Sequence, residues 1–289
     1  MNELAFIEAL RRMATHPAAR HFDDDCAVLE VGGEALVLTH DMMAEGVHYL
    51  EGQDPADVAW KLVSVNISDL AAKGAEPLGV LLGYMFGKDD SRFVEGLEQA
   101  LAYYDVPLLG GDTISGKGPQ ALGLTAIGRA THRPAPSRGG AQPGDLLYVT
   151  GPVGAAMIGY DALKSGAGDS EAYCRPRALV AQGQALAPHV TAMMDISDGL
   201  LLDSCRMARA SGVTFAIEAN AVPIAAPEQR RGDAMRWGDD YQLLFTAPAG
   251  LDPPVPATAI GQALDPGEAP LMLDGDPLSE KDGLGFQHG

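Results

Sequence analysis

Residues 54–74 read DPADVAWKLVSVNISDLAAKG, and they hold the longest helical pattern in a chain of 289 residues. Pro55 stands near the beginning, where a helix tolerates a residue that lacks a backbone N–H. Apolar side chains then recur three or four positions apart, at Trp60, Val63, Ile67 and Leu70. A polar set with the same spacing shares one face and consists of Asn66, Asp69 and Lys73. The stretch is therefore predicted to be one long helix with polar side chains gathered on one face.

Strand and helix patterns alternate on both sides of this helix. Strands are predicted at 26–31, 35–43, 77–86, 106–111, 121–130, 145–151, 192–197, 213–219, 240–248 and 258–264. Further helices are predicted at 2–14, 91–104, 154–165, 175–187 and 198–211. The segment 131–144, THRPAPSRGGAQPG, is rich in Pro, Gly and Ser and is predicted to link two domains. The chain is therefore predicted to be an α/β (α+β) protein with two domains, residues 1–132 and 133–289.

The composition excludes some classes of function. Asp plus Glu number 39 and Lys plus Arg 20, which gives a net charge of −19 and argues against nucleic-acid binding. A small phosphorylated substrate would be repelled as well, unless metal ions lie between protein and phosphate. The three cysteines are widely spaced, which is typical of a reducing compartment. No run approaches the roughly 18 apolar residues of a membrane span, so a soluble, cytoplasmic protein is predicted.

Aspartates recur where predicted strands end and predicted helices begin. Five of them share such positions: Asp25, Asp41, Asp112, Asp195 and Asp198. A single aspartate there is usually a turn former or a helix cap, and either Ser197 or Asp198 is expected to cap the helix that follows. Carboxylates at strand ends often converge on a cleft, however, and Asp69 adds one from the long helix. Because Mg²⁺ binds through carboxylates and substrate phosphates, the pattern predicts a Mg²⁺–phosphate site.

Other candidate motifs are weaker. GDTISGKG (111–118) begins like a P-loop but lacks the Ser/Thr after the lysine and the following helix, so it is rejected. Arg138, in a chain poor in basic residues, is either a phosphate clamp or a solvated linker charge. His48 is either a substrate ligand or a buried, satisfied histidine. No Ser/His/Asp, Cys/His or zinc-binding arrangement is defensible, so the chemistry is not expected to use a protein nucleophile.

Seven motifs occur in the order DDCAVL, LTHDMMAEGVHY, AWKLVSVNISDLAAKGAEP, LLGGDT, SRGGAQPGDLLYVTG, MMDISDGLLLD and GDDYQLLFT. The match that they form extends over nearly the whole chain, which resembles the thiamine-monophosphate kinase family. The fold of that family is similar to that of aminoimidazole ribonucleotide synthetase. The resemblance implies an N-terminal mixed-sheet domain that dimerises through its sheet, and a C-terminal α/β domain that closes over the nucleotide. It also implies a homodimer that uses ATP and several Mg²⁺ ions to convert thiamine monophosphate into thiamine diphosphate.

The resemblance assigns roles to individual positions of this chain. It implies metal binding at Asp25, Thr39, His40, Asp41, Asp69, Asp112, Asp195 and Asp198. It implies nucleotide binding at Gly111, Asp112, Arg138 and Ser197, and substrate contacts at His48 and Asp239. Asp198 and Arg138 are the residues expected to act in the transfer itself. That transfer is expected to be direct and in-line, without a phosphoenzyme, so the protein would contribute positioning and charge neutralisation.

Three positions depart from the family pattern. Asp239 stands where the family has a glutamate, one methylene longer, and His40 stands where it usually has a threonine, which leaves only the backbone carbonyl of His40 for a metal. In the C-terminal tail, Gly283 falls where an aromatic residue is expected to stack on the thiamine. Two alternatives therefore stay open: a related ATP-using enzyme of this fold with another small substrate, and a nucleotide-binding protein without turnover.

Overall fold

The computed structural model describes residues 3–287 and contains two mixed β-sheets flanked by helices. The N-terminal sheet consists of β1 (Ala27–Val31), β2 (Glu34–Ala44), β3 (Ala75–Met85), β4 (Leu108–Ile114) and β5 (Ala121–Ala130). Its strand order is β1-β2-β5-β3-β4, and only β3 and β4 pair in parallel. The helices of this half are α1 (Glu3–Arg11), α2 (Pro55–Ala72) and α3 (Asp90–Tyr104).

The C-terminal sheet has seven strands. They are β6 (Leu146–Val149), β7 (Ala192–Asp195), β8 (Thr214–Ile217), β9 (Leu243–Ala247), β10 (Thr258–Leu264), β11 (Leu271–Leu273) and β12 (Asp276–Leu278). The order is β12-β11-β8-β10-β6-β9-β7, with β8 and β11 the parallel pair. The helices are α4 (Ala155–Ser165), α5 (Glu171–Cys174), α6 (Val180–Leu186), α7 (Leu200–Ser211) and α8 (Arg231–Ala234). The predicted two-domain α/β class is confirmed, while the exact boundary stays a prediction; residues 131–145 contain no helix or strand.

Helix α2 lies at the centre of the molecule. Sixteen of its 18 residues are buried, including the polar ones, so it is not half-solvated as an ordinary amphipathic helix would be. Its apolar face packs on the N-terminal sheet, where Val63 and Leu70 share a core with Val80 of β3. Its other side meets α6 so closely that a Cβ on Gly183 would lie 1.9 Å from the carbonyl oxygen of Ala71. The polar residues of α2 are therefore enclosed between the two halves of the chain.

Asp54 determines where α2 begins. Its carboxylate caps the helix by accepting the N–H of Ala56 at 3.0 Å. It also accepts two hydrogen bonds from the guanidinium of Arg92, on α3, at 2.9 and 2.8 Å. The cap therefore ties together the two helices that cover the N-terminal sheet.

Two expectations about elements are wrong, and one hairpin was missed. The helix predicted at 175–187 begins only at Val180, as α6, because the segment around Pro176 stays irregular and its carbonyl accepts the indole N–H of Trp60 at 2.9 Å. Neither Ser197 nor Asp198 caps α7, which begins at Leu200 after Gly199. The hairpin β11–β12 was not predicted. None of the helices within residues 3–287 is long and apolar enough to cross a membrane.

Candidate active site

Carboxylates from both halves of the chain meet beside α2. Asp25 precedes β1, Asp69 lies on α2 and Asp195 ends β7, and each offers a carboxylate oxygen within 4.8 Å of the other two. The hydroxyl of Thr39 donates a hydrogen bond to Asp69, and that of Ser68 donates one to Asp195 at 2.5 Å. Two hydroxyls therefore fix the orientation of two carboxylates in a buried site.

Two further aspartates belong to this site. Asp41 lies on β2 two residues after Thr39, so both side chains point to the same face of the strand, and the backbone N–H of Asp41 donates to Asn66 of α2 at 2.9 Å. Asp198 follows β7 in the loop before α7. We call Asp25, Asp41, Asp69, Asp195 and Asp198 the aspartate cluster.

Burial and mutual repulsion make the ionised form of the aspartate cluster costly without a cation. Desolvation first, and then the charges of Asp25 and Asp198, raise the pKa of Asp41 to about 6. Desolvation together with Asp25 raises the pKa of Asp195 to about 7, and the pKa of Asp69 is also raised well above its ordinary value by burial and neighbouring carboxylates. Clustered carboxylate and hydroxyl oxygens are the donors that a hard divalent cation prefers, so the residues fit Mg²⁺.

Basic side chains surround one side of the cluster. Lys73, at the end of α2 and fully buried, lies 2.5 Å from Asp24 and 3.5 Å from Asp25. Although burial opposes it, the charges of Lys73 and Arg20 lower the pKa of Asp24 to about 2. Arg138 pairs with Asp25, its side chain is only 16% exposed, and its Nε is buried without a hydrogen-bond partner. A solvated linker charge is therefore the wrong interpretation of Arg138.

The loop that carries Asp198 is held by a residue that the sequence analysis missed. One oxygen of the buried Asp203 carboxylate accepts the N–H groups of Ser197, Asp198 and Gly199 at 3.0–3.1 Å. Arg206 pairs with Asp198 and, at 3.2 Å, with the other oxygen of Asp203. Asp203 lies in the first turn of α7, and its carboxylate accepts backbone N–H groups just before the helix, as the side chain of an N-cap residue usually does. The signal in the sequence was the third and last aspartate of DISDGLLLD.

A cavity of about 820 Å³ opens from the aspartate cluster toward the C-terminal half of the chain. Asp41, Ser197 and Asp198 line one part of it. Another part, which we call the aromatic pocket, is lined by Tyr160, Tyr173, Trp237, Tyr241 and Phe286. One cavity therefore joins clustered carboxylates to a largely aromatic surface.

Both predicted substrate residues lie at the aromatic pocket. Asp239 and His48 line the cavity, and the ring of His48 meets that of Phe286 edge-on at 6.3 Å. The Nδ1 of His48 accepts the N–H of Ala44 at 3.1 Å, so one ring nitrogen already has a structural partner. Lys61, which the sequence analysis did not single out, lines the same cavity with its carboxylate partner Asp239 2.8 Å away. The signal for Lys61 was a lysine among apolar residues in the first half of α2.

The C-terminal tail does supply an aromatic residue. Gly283 was expected to leave that place empty, but Phe286, three residues further on, lines the pocket. The tail is held there because the N–H of Phe286 donates to the carbonyl of Asp198 at 2.9 Å. A Cβ on Gly285 would lie 2.3 Å from the same carbonyl oxygen, so this approach requires glycine. The tail thus contacts the loop that carries Asp198.

The structure does not bring every predicted residue into the cluster. The ring of His40 lies on the opposite face of β2 and bonds to Thr125 of β5 at 2.8 Å, so only its backbone carbonyl stays a predicted ligand. Gly111 and Asp112 lie on β4, all seven residues of which are exposed. Asp112 bonds to the N–H of Thr113, and its nucleotide and metal roles stay predictions.

Comparisons with known proteins agree with this architecture. The N-terminal domain model of AIR synthase related proteins matches residues 23–130, and the C-terminal domain model matches residues 142–265. The thiamine-monophosphate kinase of Salmonella typhimurium is 35% identical, with 92% of this chain and 90% of the relative covered. That of Caulobacter vibrioides is 37% identical, with 79% of this chain and 71% of the relative covered.

Solved structures are similar over almost the whole chain. AaThiL, determined in complex with AMPPCP and TMP, superposes with a TM-score of 0.86 at 28% identity, with 96% of this chain and 95% of that chain covered. A thiamine monophosphate kinase structure from Aquifex aeolicus gives a TM-score of 0.81 at 27% identity, with 96% and 98% covered. Fold and site together define a two-domain protein of the AIR synthase-related class. Within that class, the chain belongs to the thiamine-monophosphate kinase family.

Proposed function

We propose that this protein is a phosphotransferase that makes thiamine diphosphate from thiamine monophosphate and ATP. The observation that carries the proposal is the single cavity in which Asp41 and Asp198 of the aspartate cluster face the aromatic pocket. Phosphoryl transfer requires the nucleotide and the acceptor to bind next to each other. In this cavity, carboxylates suited to metal-bound phosphates lie beside aromatic rings suited to a flat cationic acceptor. Family membership supports the same substrates.

Mg²⁺ is the proposed metal, bound as several ions by the aspartate cluster with Thr39 and the carbonyl of His40, while Asp112, which lies apart on β4, stays a predicted ligand. When bound, it would neutralise phosphate charge and draw the two substrates together. The cluster's raised pKa values support this role, because a cation would stabilise the ionised carboxylates. In a protein with a net charge of −19, such neutralisation is a requirement for binding two phosphorylated molecules.

The protein's own residues would position the reactants. Arg138 and Ser197 are proposed to bind the nucleotide together with Gly111 and Asp112, and the buried, unpaired Nε of Arg138 supports a donor role toward phosphate. Direct in-line transfer requires no protein nucleophile. Its acceleration would come from alignment and from charge placement.

A homodimer formed through the N-terminal sheet is proposed as well, in the cytoplasm. One face of this sheet packs on α2 and α3; the other, which we call the open face, carries the exposed side chains of Met42, Leu81 and Leu109. These are 60%, 38% and 54% exposed, and β4 forms a free sheet edge beside them. An exposed apolar face next to an unpaired edge is what a second copy of the chain would cover.

The experiment that tests the function measures ADP formation with Mg-ATP and either thiamine monophosphate, thiamine or no acceptor. The expected result is thiamine diphosphate only with the monophosphate, together with stoichiometric ADP. Turnover with a different small acceptor would favour another enzyme of this fold. ATP binding without turnover on any acceptor would favour a nucleotide-binding protein without catalysis, and either result would refute the proposal.

A further inference from the structure

Lys61 is a buried cation in the first half of α2. Its side chain is only 1% exposed, yet it lies at the aromatic pocket rather than at the aspartate cluster. Its ammonium donates to the Asp239 carboxylate at 2.8 Å and to the backbone carbonyl of His48 at 3.0 Å. It also lies 4.0 Å from the centroid of the Tyr173 ring, within the range of a cation–π contact. The two hydrogen bonds and the contact with the ring face together give each of the three N–H donors of the ammonium a partner.

These three partners come from both halves of the chain and line the same cavity. They are also joined to one another, since the Tyr173 hydroxyl donates to the His48 carbonyl at 3.2 Å. The second oxygen of Asp239 accepts the hydroxyl of Tyr241 at 2.9 Å, so both carboxylate oxygens are held. Lys61 is thus the partner that the Asp239 carboxylate shares with His48 and Tyr173.

The backbone of Asp239 is fixed as well. Asp239 has a left-handed φ of +66°, which is costly for a residue with a Cβ, and its N–H donates to the carbonyl of Ser197 at 2.8 Å. At Gly238 a Cβ would lie 2.2 Å from that carbonyl oxygen. Asp239 therefore connects Lys61, through its side chain, to the loop that carries Asp198, through its backbone.

We propose that Lys61 is a positioning residue for the phosphate acceptor. Its ammonium holds the carboxylate of Asp239 in the orientation that the acceptor binds, and it touches neither substrate itself. A role as a phosphate ligand does not fit, because the ammonium is buried and its donors already have partners. The inference rests on the proposed function, since it needs the aromatic pocket to be the acceptor site.

The first test compares two buried lysines of the same segment. Lys61→Met should raise KM for thiamine monophosphate about tenfold to 100-fold, with KM for Mg-ATP changed less than about twofold, because only the acceptor residues lose their alignment. Lys73, which pairs with Asp24 and Asp25, provides the contrast. Lys73→Met should instead raise the Mg²⁺ and ATP requirement. Equal increases of both Michaelis constants in Lys61→Met would overturn the proposal, since a general structural loss acts on both.

A double-variant cycle covers the case in which Lys61→Met does not fold. Removing the lysine alone leaves a carboxylate without its cation, whereas Lys61→Met with Asp239→Asn removes both charges. The double variant should fold and have a KM for thiamine monophosphate within about twofold of Asp239→Asn alone, since Lys61 acts through Asp239. A further tenfold loss would show that Lys61 acts independently and would overturn the proposal.

Titration calorimetry with thiamine monophosphate separates this inference from the proposed function. If the wild-type protein binds the monophosphate but forms no thiamine diphosphate, the proposed function fails, and the Kd of Lys61→Met still tests the lysine. A Kd raised about tenfold or more supports positioning by Lys61, and an unchanged Kd overturns it. If the wild-type protein binds no thiamine monophosphate, both proposals fail.

Discussion

Asp198 is a carboxylate of the aspartate cluster whose charge can be removed with little damage to the fold. It repels two neighbours, because its charge helps to raise the pKa values of Asp41 and Asp203. Asp198→Asn keeps the shape and relieves that repulsion, so its melting temperature should stay within a few degrees of the wild type. Turnover should fall at least about 100-fold, because the carboxylate would hold a metal ion that neutralises the charge on the transferring phosphoryl group.

The control for Asp198→Asn is Asp161→Asn. Asp161 also pairs with an arginine, Arg230, but its side chain is 50% exposed and lies outside the cavity. Turnover of that variant should equal the wild type in a steady-state assay. Near-normal turnover in Asp198→Asn would remove Asp198 from the proposed metal site.

Arg138 should act mainly on the nucleotide. Arg138→Ala removes a mostly buried guanidinium that pairs with Asp25 and has an unused donor, so KM for ATP should rise about tenfold or more while KM for thiamine monophosphate changes little. Initial-rate kinetics with each substrate varied in turn measure both constants. Arg209→Ala, which removes an exposed arginine paired with Glu280, is the matched control. Unchanged kinetics in Arg138→Ala would contradict a clamp.

At the residue scale, the sequence predicted the clustered aspartates but not the residues that hold the surrounding loops in place. Asp25, Asp69 and Asp195 were predicted from strand ends and from helical spacing, and they do lie together. Lys61 and Asp203 were missed because their roles depend on contacts with distant loops, which local spacing does not reveal. His40 shows the converse: it matches a metal-binding position of the family, but alternation along β2 turns its ring to the other face of the strand.

At the element scale, the N-terminus of α2 offers a test with a defined pH dependence. Hydrogen bonds from Arg92 lower the pKa of Asp54 below its ordinary value of 3.8. A carboxyl with a lowered folded-state pKa stabilises the fold above its unfolded-state pKa, and that contribution is lost as the pH falls through the folded-state value. Asp54→Ala should therefore reduce the free energy of unfolding by about 1 kcal/mol at pH 7, and by progressively less below about pH 4.

Urea denaturation of the wild type and the variant at several pH values measures this difference. Asp54→Asn, which can still cap the helix but carries no charge, should lose less stability at pH 7 than Asp54→Ala. A difference between wild type and Asp54→Ala that does not change between pH 7 and pH 3 would show that the charge of Asp54 contributes nothing.

The elements missed in the sequence have identifiable causes. Asp274 and Gly275 connect β11 and β12, and both have a positive φ, +52° and +92°. This is the two-residue turn that an Asp-Gly pair favours, so the signal was present, but its strands are only three residues long. The burial of α2 was not predictable from periodicity, since it depends on the other domain: α6 packs against Ala71, and Ser68 bonds to Asp195 at the end of β7.

At the scale of the whole molecule, the open face of the N-terminal sheet leaves apolar side chains exposed in a single chain. Leu109 lies on β4 above Gly79 of β3, where it is 54% exposed. Leu81, also on β3, extends the same apolar face. A charge placed there costs little in a monomer but would be buried in a dimer, where an unpaired charge is strongly unfavourable.

Leu109→Glu should therefore convert a dimer into a monomer without a large change in melting temperature, and sedimentation equilibrium of both proteins at the same concentration measures the masses. Val94→Glu is the matched control, because Val94 is 50% exposed on α3, on the helical side of the domain, and should leave the dimer intact. A monomeric wild type, or a dimer that persists in Leu109→Glu, would contradict an interface on the open face. Asp112, a proposed metal and nucleotide ligand, lies three residues from Leu109 on β4, so loss of the interface should also weaken metal and nucleotide binding at Asp112. We therefore expect monomeric Leu109→Glu to require higher concentrations of Mg²⁺ and ATP for turnover than Val94→Glu.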